Sequence, residues 1–313
     1  MRTLVALLSL LLTVHTEGNS SGHSWKYPDG TGNGAWSNNF PNCAGKKQSP
    51  IDIQTNKLLE NKLLEPLVLS GYKAQEGHFP MINNGHSVQL TLPADMHIIE
   101  GLPYKFTAVQ LHFHWRSTTQ PHGSEHTING EPSDCELHVV HFNSEKYKSF
   151  EEAQDKPDGL AVIAVLIKAK ENEENTYYEP FFSYLSKIQN AGENVTLPSI
   201  DVQHMLPCNL KRYYRYYGSL TTPPCTENVI WTVLTEHVFI STGQLHKLFS
   251  LKDNFSHSLE NNFRHVQPLN GRIVEASFPP EEAEGSQFVH CSRSEARSWR
   301  RFKRHRASSR QRS

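Results

Sequence analysis

The sequence predicts a mainly β (α+β) chain folded as a single domain. Apolar, β-branched and aromatic residues gather in runs of strand length, at 106–115, 135–142 and 160–167. Only two stretches, 179–188 and 242–251, have helical spacing, so helices and strands do not alternate as a βαβ array would. The 37% hydrophobic fraction and the even scatter of Gly and Pro leave no linker and no repeat before the C-terminal end. Single β-rich domains of about 250 residues are common.

In chain order, Met1-Arg2, the apolar run Leu4 to Val14 and the small or polar residues Thr16 to Gly18 read as a secretory leader, 1–18. That run is too short to span a bilayer, and no later stretch reaches roughly 18 apolar residues. The expectation is a secreted, extracellular, soluble chain without a membrane anchor, its globular domain at 22–280 and a tail at 281–313. Export makes the five cysteines candidates for disulfides, with connectivity that spacing alone does not reveal. N-glycosylation sequons stand at Asn19, Asn194 and Asn254; Asn194 and Asn254 are the sites expected, Asn19 lying close to the cleavage point.

Ser87 to Leu92 alternates like a half-buried strand, and Asn83-Asn84-Gly85 before it is a turn signal that puts His86 at the strand entrance. An imidazole there titrates near neutral pH and can pass protons between a buried site and buffer.

Phe106 to Trp115 is the most informative run. In a strand Gln110, His112 and His114 share one face and Leu111, Phe113 and Trp115 the other. Two imidazoles about 7 Å apart along a strand can both reach one metal ion if the rings lean together. Cys135 to Phe142 places Glu136, His138 and Val140 on one face. Pairing through the Gly/Pro/Ser-rich connection Ser117 to Ser133 would bring a third imidazole to the same side. Three His ligands with an open fourth position make a catalytic Zn2+ site, whereas structural sites are closed by four protein ligands. Gln110 and Glu136 are candidates to accept the outer ring N–H of the ligating imidazoles. The bland alternative is that these are ordinary strand histidines, since the chain has 18 His.

Leu160 to Ile167, after Pro157-Asp158-Gly159, is a continuous apolar run expected as a central strand covered on both faces. Glu179 to Ile188 and Thr242 to Leu251 are expected helices, and the tyrosines at 213, 214, 216 and 217 are expected to pack within the sheet. From Arg293 to Ser313 nine Lys/Arg stand against one acid, Glu295, so the end of the chain reads as a basic, disordered tail. Such a tail is either simply solvated or makes contact with a polyanion; nothing requires nucleic acid.

Gln110-x-His112-x-His114-Trp115, Gly123-Ser124-Glu125-His126-Thr127, Glu136-Leu137-His138-Val139-Val140-His141 and Gly218-Ser219-Leu220-Thr221-Thr222-Pro223-Pro224 resemble the animal α-carbonic anhydrases, most closely the secreted members. Gln48-Ser49-Pro50-Ile51-Asp52 and Asn83-Asn84-Gly85-His86 extend the resemblance over about 25–278. It implies a large, twisted, mostly antiparallel central sheet with a few short peripheral helices. It further implies a zinc lyase that hydrates carbon dioxide reversibly to bicarbonate and a proton, serving pH homeostasis of a secreted fluid. Its substrates are then small molecules: carbon dioxide, bicarbonate and water.

Site roles follow from the same resemblance: His112, His114 and His138 as metal ligands, His86 as proton shuttle, and Thr221 with Glu125 orienting the nucleophile. Val140, Val162, Leu220, Thr222 and Trp231 form the substrate pocket, and Gln89 lies where the family's pocket varies. Cys43 pairs with Cys225, and the bonds Ser49-Pro50 and Pro223-Pro224 are cis. The states of Cys135, Cys208 and Cys291 stay open, with Cys135 expected buried in its strand. Three other readings fit the residues less well. A silent binding module would be expected to lack a ligand, the peptidase motif His-Glu-x-x-His is absent, and the histidines are too scattered for a metal buffer.

Overall fold

The computed structural model describes residues 25–27 and 34–279. The expected leader at 1–18, the Asn19 sequon, Cys291 and the basic tail at 281–313 lie outside the described residues.

Among the described residues a thirteen-stranded sheet dominates. From one edge its strands run Asn194–Ile200, Gln75–Asn83, Val88–Thr91, Phe106–Trp115, Cys135–Asn143, Leu160–Lys170, Val229–Leu234, Tyr213–Gly218, Glu275–Ala276 and Leu59–Glu60. Pairing is mostly antiparallel, as expected, with exceptions that make the sheet mixed. Leu160–Lys170 runs parallel to Val229–Leu234 at its start and to Val238–Ser241 at its end, and Glu275–Ala276 runs parallel to Leu59–Glu60.

Alternation along the strands sorts side chains into two cores. Leu111, Phe113, Trp115, Leu137, Val139, Ala161, Ile163 and Val165 enter the larger one, which the helical segments cover. Val140, Leu160, Val162 and Ala164 enter a second cluster on the other face with Ile51, Ile53 and Trp231. The apolar run Leu160 to Ile167 is therefore continuous because both of its faces are covered.

One helix expectation is corrected. The stretch 179–188 is not one helix but an α turn, Glu179–Phe182, and a 3₁₀ turn, Leu185–Lys187. Helices this short have little stability of their own, so burial of Phe181, Phe182, Leu185 and Ile188 in the large core decides the backbone. The second expected helix ends earlier than read, at Leu248. Ser241 and Gln244 form a capping box at its start, and tight i to i+3 bonds run on to Leu251.

Cys43 and Cys225 form a disulfide. Cys135 is a buried free thiol and Cys208 is disulfide-bonded. Ser49-Pro50 and Pro223-Pro224 are cis. Asn194 and Asn254 are both exposed, and no helix among the described residues is long and apolar enough to cross a membrane.

Candidate metal centre

Phe106–Trp115 and Cys135–Asn143 pair antiparallel with His112 directly opposite His138 and His114 opposite Glu136. A register irregularity between Ala108 and Gln110 precedes this stretch. In that register three imidazoles rise from one face. His112 Nε2 and His114 Nε2 are 3.1 Å apart, and His114 Nε2 and His138 Nδ1 are likewise 3.1 Å apart. Nitrogens 2.0–2.1 Å from a common tetrahedral ion would stand about 3.3 Å from one another, so the spacing fits zinc.

The outward nitrogens are each spoken for. His112 Nδ1 lies 2.8 Å from Gln110 Oε1, His114 Nδ1 is 2.7 Å from the Asn262 carbonyl, and His138 Nε2 is 2.7 Å from Glu136 Oε1. Each partner is an acceptor, which puts the ring proton on the outer nitrogen and leaves the inner lone pair free. Burial first, then the neighbouring imidazoles, pushes His112 well below the ordinary imidazole value; burial also lowers His114. Neutral imidazole is the form that binds a metal.

Behind these three imidazoles stands a second buried group with metal-ligand spacing: His126, Glu136 and His138. Its donors are already committed. Glu136 Oε1 is 2.6 Å from His126 Nδ1, and Oε2 accepts the backbone N–H of Glu125 and of His126, both at 2.8 Å. Burial acts to raise the Glu136 carboxyl, yet His126 and His138 hold it well below the usual carboxylate range. The network continues from His126 Nε2 to the Tyr216 hydroxyl at 2.7 Å and from there to Ser49 Oγ at 2.9 Å.

Glu125 is fully inside the protein. Its Oε1 accepts the Arg264 N–H at 2.8 Å, while Oε2 is buried without a hydrogen-bond partner. Thr221 is buried too, and no hydrogen bond joins it to Glu125 among those the structure shows. Its loop is tied down from the N-terminal motif: Gln48 Nε2 donates to the Cys225 carbonyl at 3.2 Å, and Ser49 and Ser219 exchange bonds of 2.9 and 3.0 Å. Thr222 is half-buried in the same loop.

Val162 is the cross-strand partner of both Val140 and Trp231, and Leu220 packs against that cluster. Gln89 is the cross-strand partner of His112. His86 follows a turn in which Asn84 Oδ1 accepts the N–H of His86 and of Ser87 at 3.0 and 2.8 Å, and Gly85 takes a φ of 81° that favours glycine. The His86 ring is stacked on Trp25, centroids 3.8 Å apart. Burial lowers its pKa, and Asp253 opposes that shift.

A family model described as eukaryotic-type carbonic anhydrase matches residues 31–278. The chain belongs to the carbonic anhydrases. It is accordingly an enzyme of the carbonate dehydratase type. It is 47% identical to human carbonic anhydrase 6 over 92% of this chain and 94% of that protein. The dog carbonic anhydrase 6 is 46% identical over 92% and 90%, and human carbonic anhydrase 12 is 41% identical over 88% and 81%.

Sequence reasoning missed several groups that shape this carbonic anhydrase site. His126 and Tyr216 stand inside motifs or clusters visible in the sequence, but nothing in their spacing signals a part in it. Asn262 was not singled out at all. Its carbonyl meets His114, its Oδ1 accepts the Trp115 N–H, and its Nδ2 reaches the His86 carbonyl at 3.0 Å. Arg264 donates to Gln48 Oε1 and to the Ser49 and Cys43 carbonyls as well as through its backbone to Glu125. The one available signal was a polar cluster, Asn261-Asn262-Phe263-Arg264, with no spacing rule to interpret it.

Proposed function

We propose that this carbonic anhydrase is a secreted zinc enzyme that interconverts carbon dioxide and bicarbonate, releasing a proton, in service of the pH of an extracellular fluid. The observation that carries the reading is the convergence of three imidazole nitrogens, each ring having its outer nitrogen beside an acceptor. His112, His114 and His138 hold the ion. Bound zinc supplies the Lewis acidity that makes water acidic near neutral pH, an effect for which carbonic anhydrases are the usual example.

The chain's own residues do the rest. Glu125, anchored at Oε1 by Arg264, offers the free Oε2 to the Thr221 hydroxyl. With its proton committed there, the Thr221 oxygen only accepts, which fixes the orientation of the attacking water's remaining proton. Val140, Val162, Leu220, Thr222 and Trp231 hold carbon dioxide beside the nucleophile, a proximity effect. His86 takes the excess proton and delivers it to buffer.

In the same proposal residues 1–18 are the leader, 22–280 the catalytic domain, and 281–313 a basic tail available to polyanions. Asn194 and Asn254 carry glycans. The test is metal analysis of the secreted protein with stopped-flow carbon dioxide hydration before chelation, after it, and after zinc is restored. Activity that disappears and returns supports the proposal; full zinc occupancy without hydration ends it.

A further inference from the structure

A stretch with no group in the metal centre backs the turn that carries His86. Residues 251–259 fold back on themselves: the Leu259 N–H donates to the Leu251 carbonyl at 2.8 Å, Asp253 N–H to the His257 carbonyl at 2.9 Å, and Ser256 N–H to the Asp253 carbonyl at 3.1 Å. Asn83 ties this hairpin to the His86 turn, its Nδ2 donating to the Lys252 carbonyl at 3.0 Å. Within the hairpin, the charge of Asp253 favours the protonated His86 ring.

Asn254, at the hairpin tip, lies over Gly85. A Cβ placed on Gly85 would stand 2.3 Å from Asn254 Nδ2 and 2.5 Å from its Cγ and Oδ1. The whole carboxamide therefore covers the residue next to His86, a second reason for glycine there beside its φ of 81°. Asn254 is exposed, and its amide makes no hydrogen bond among the described residues. It begins the sequon Asn254-Phe255-Ser256. An exposed, unbonded amide nitrogen is open to N-glycosylation, which adds a bulky hydrated chain.

We propose that the glycan on Asn254 stands over the His86 turn and screens the exit of the proton, so that small acceptors collect it and bulky ones are held off. The inference rests on His86 as the shuttle, as proposed above. Attachment joins Nδ2 to the anomeric carbon of the first sugar, the amide giving up one proton and the lipid diphosphate carrier of the sugar leaving. Nδ2 is the Asn254 atom nearest the Gly85 position, so the chain is rooted one residue from His86. It occupies space that a proton acceptor must cross and takes no part in the step at the ion. The device thus selects acceptors by size.

The test compares free imidazole with imidazole coupled to polyethylene glycol as proton acceptors in carbon dioxide hydration by the secreted protein, at one ionic strength. Mass spectrometry of the peptides first records the occupancy of Asn254. For each protein the acceptor concentrations giving half-maximal rate are expressed as a ratio, coupled over free. That ratio should be about twofold or more larger in the parent than in Ser256→Ala, since blocking half of the approach halves the productive encounters. Ser256→Ala keeps Asn254 over Gly85 and loses only the sequon, and Asn254→Gln should match it. Should the variants fail to be secreted, parent protein trimmed to one sugar by an endoglycosidase supplies the comparison, and its ratio should fall. An unmodified Asn254, or one ratio shared by all forms while His86→Ala remains slow, overturns the inference. A parent that ignores both acceptors, or that matches His86→Ala, overturns the shuttle reading and the inference with it.

Discussion

His138 is held at Nε2 by Glu136 Oε1, 2.7 Å away, and the same oxygen is 2.6 Å from His126. One buried carboxylate atom therefore orients an imidazole of the candidate metal centre and is itself fixed by a second histidine. Replacing it tests whether that arrangement matters. Glu136→Gln should lower zinc affinity about 10- to 100-fold, the usual effect of losing an outer partner of a metal ligand. Competition with a chelator measures this directly, and unchanged affinity would refute the role.

Thr221→Ala should leave metal content intact and reduce carbon dioxide hydration about 10²-fold, as expected when a nucleophile loses its alignment. Glu125→Gln should reproduce the loss, since an amide nitrogen at Oε2 cannot accept the Thr221 proton. Metal analysis beside stopped-flow rates separates this outcome from loss of the ion.

His86→Ala should slow hydration roughly ten- to a hundredfold in dilute buffer and recover when imidazole is added. Asp253 raises the His86 pKa against the effect of burial. Asp253→Asn should therefore move the buffer-limited pH midpoint downward, and an upward shift would contradict the assignment.

His141 is buried, bonded to the Tyr72 hydroxyl and 3.2 Å from the Ala161 carbonyl, and burial pushes it down to about 4. Between that value and the ordinary imidazole pKa near 6.5 the unfolded chain binds more protons than the fold. Stability contributed by neutral His141 is thus present above about pH 6.5 and lost as pH falls toward 4, by roughly 3 kcal/mol. Denaturant unfolding at pH 7 and pH 4.5 should show a smaller difference in His141→Gln than in the parent protein.

The disulfide spans a sequence separation of 182 and joins the N-terminal segment to the loop that carries Thr221. Chain-entropy reasoning puts its contribution at up to about 5 kcal/mol. A Cys43→Ser/Cys225→Ser protein should melt at a markedly lower temperature and hydrate carbon dioxide more slowly, because the loop loses its tether.

The strands of the centre were legible because alternation of period two writes itself into the sequence: His112 and His114 against Leu111 and Phe113. The register that sets His112 opposite His138 was not, since it depends on the irregularity at 108–110 and on distant partners. Asn262 meets His114 through a backbone carbonyl 148 residues away, and a carbonyl carries no residue signature. The short helical turns at 179–188 escaped for a related reason, their shape being imposed by the core rather than by local propensity.

The pairing of His112 with His138 makes the centre a vernier on strand alignment. Lengthening or shortening the connection at 116–134 away from Glu125 and His126, which hold Glu136, leaves the facing of the three imidazoles unchanged, provided the strands still meet. Removing one residue between His138 and the end of its strand does so as well, but a deletion between Glu136 and His138 turns the third imidazole to the opposite face. The spacing from Gln110 to His114 and from Glu136 to His138 is therefore as strict a requirement of the candidate centre as the histidines themselves.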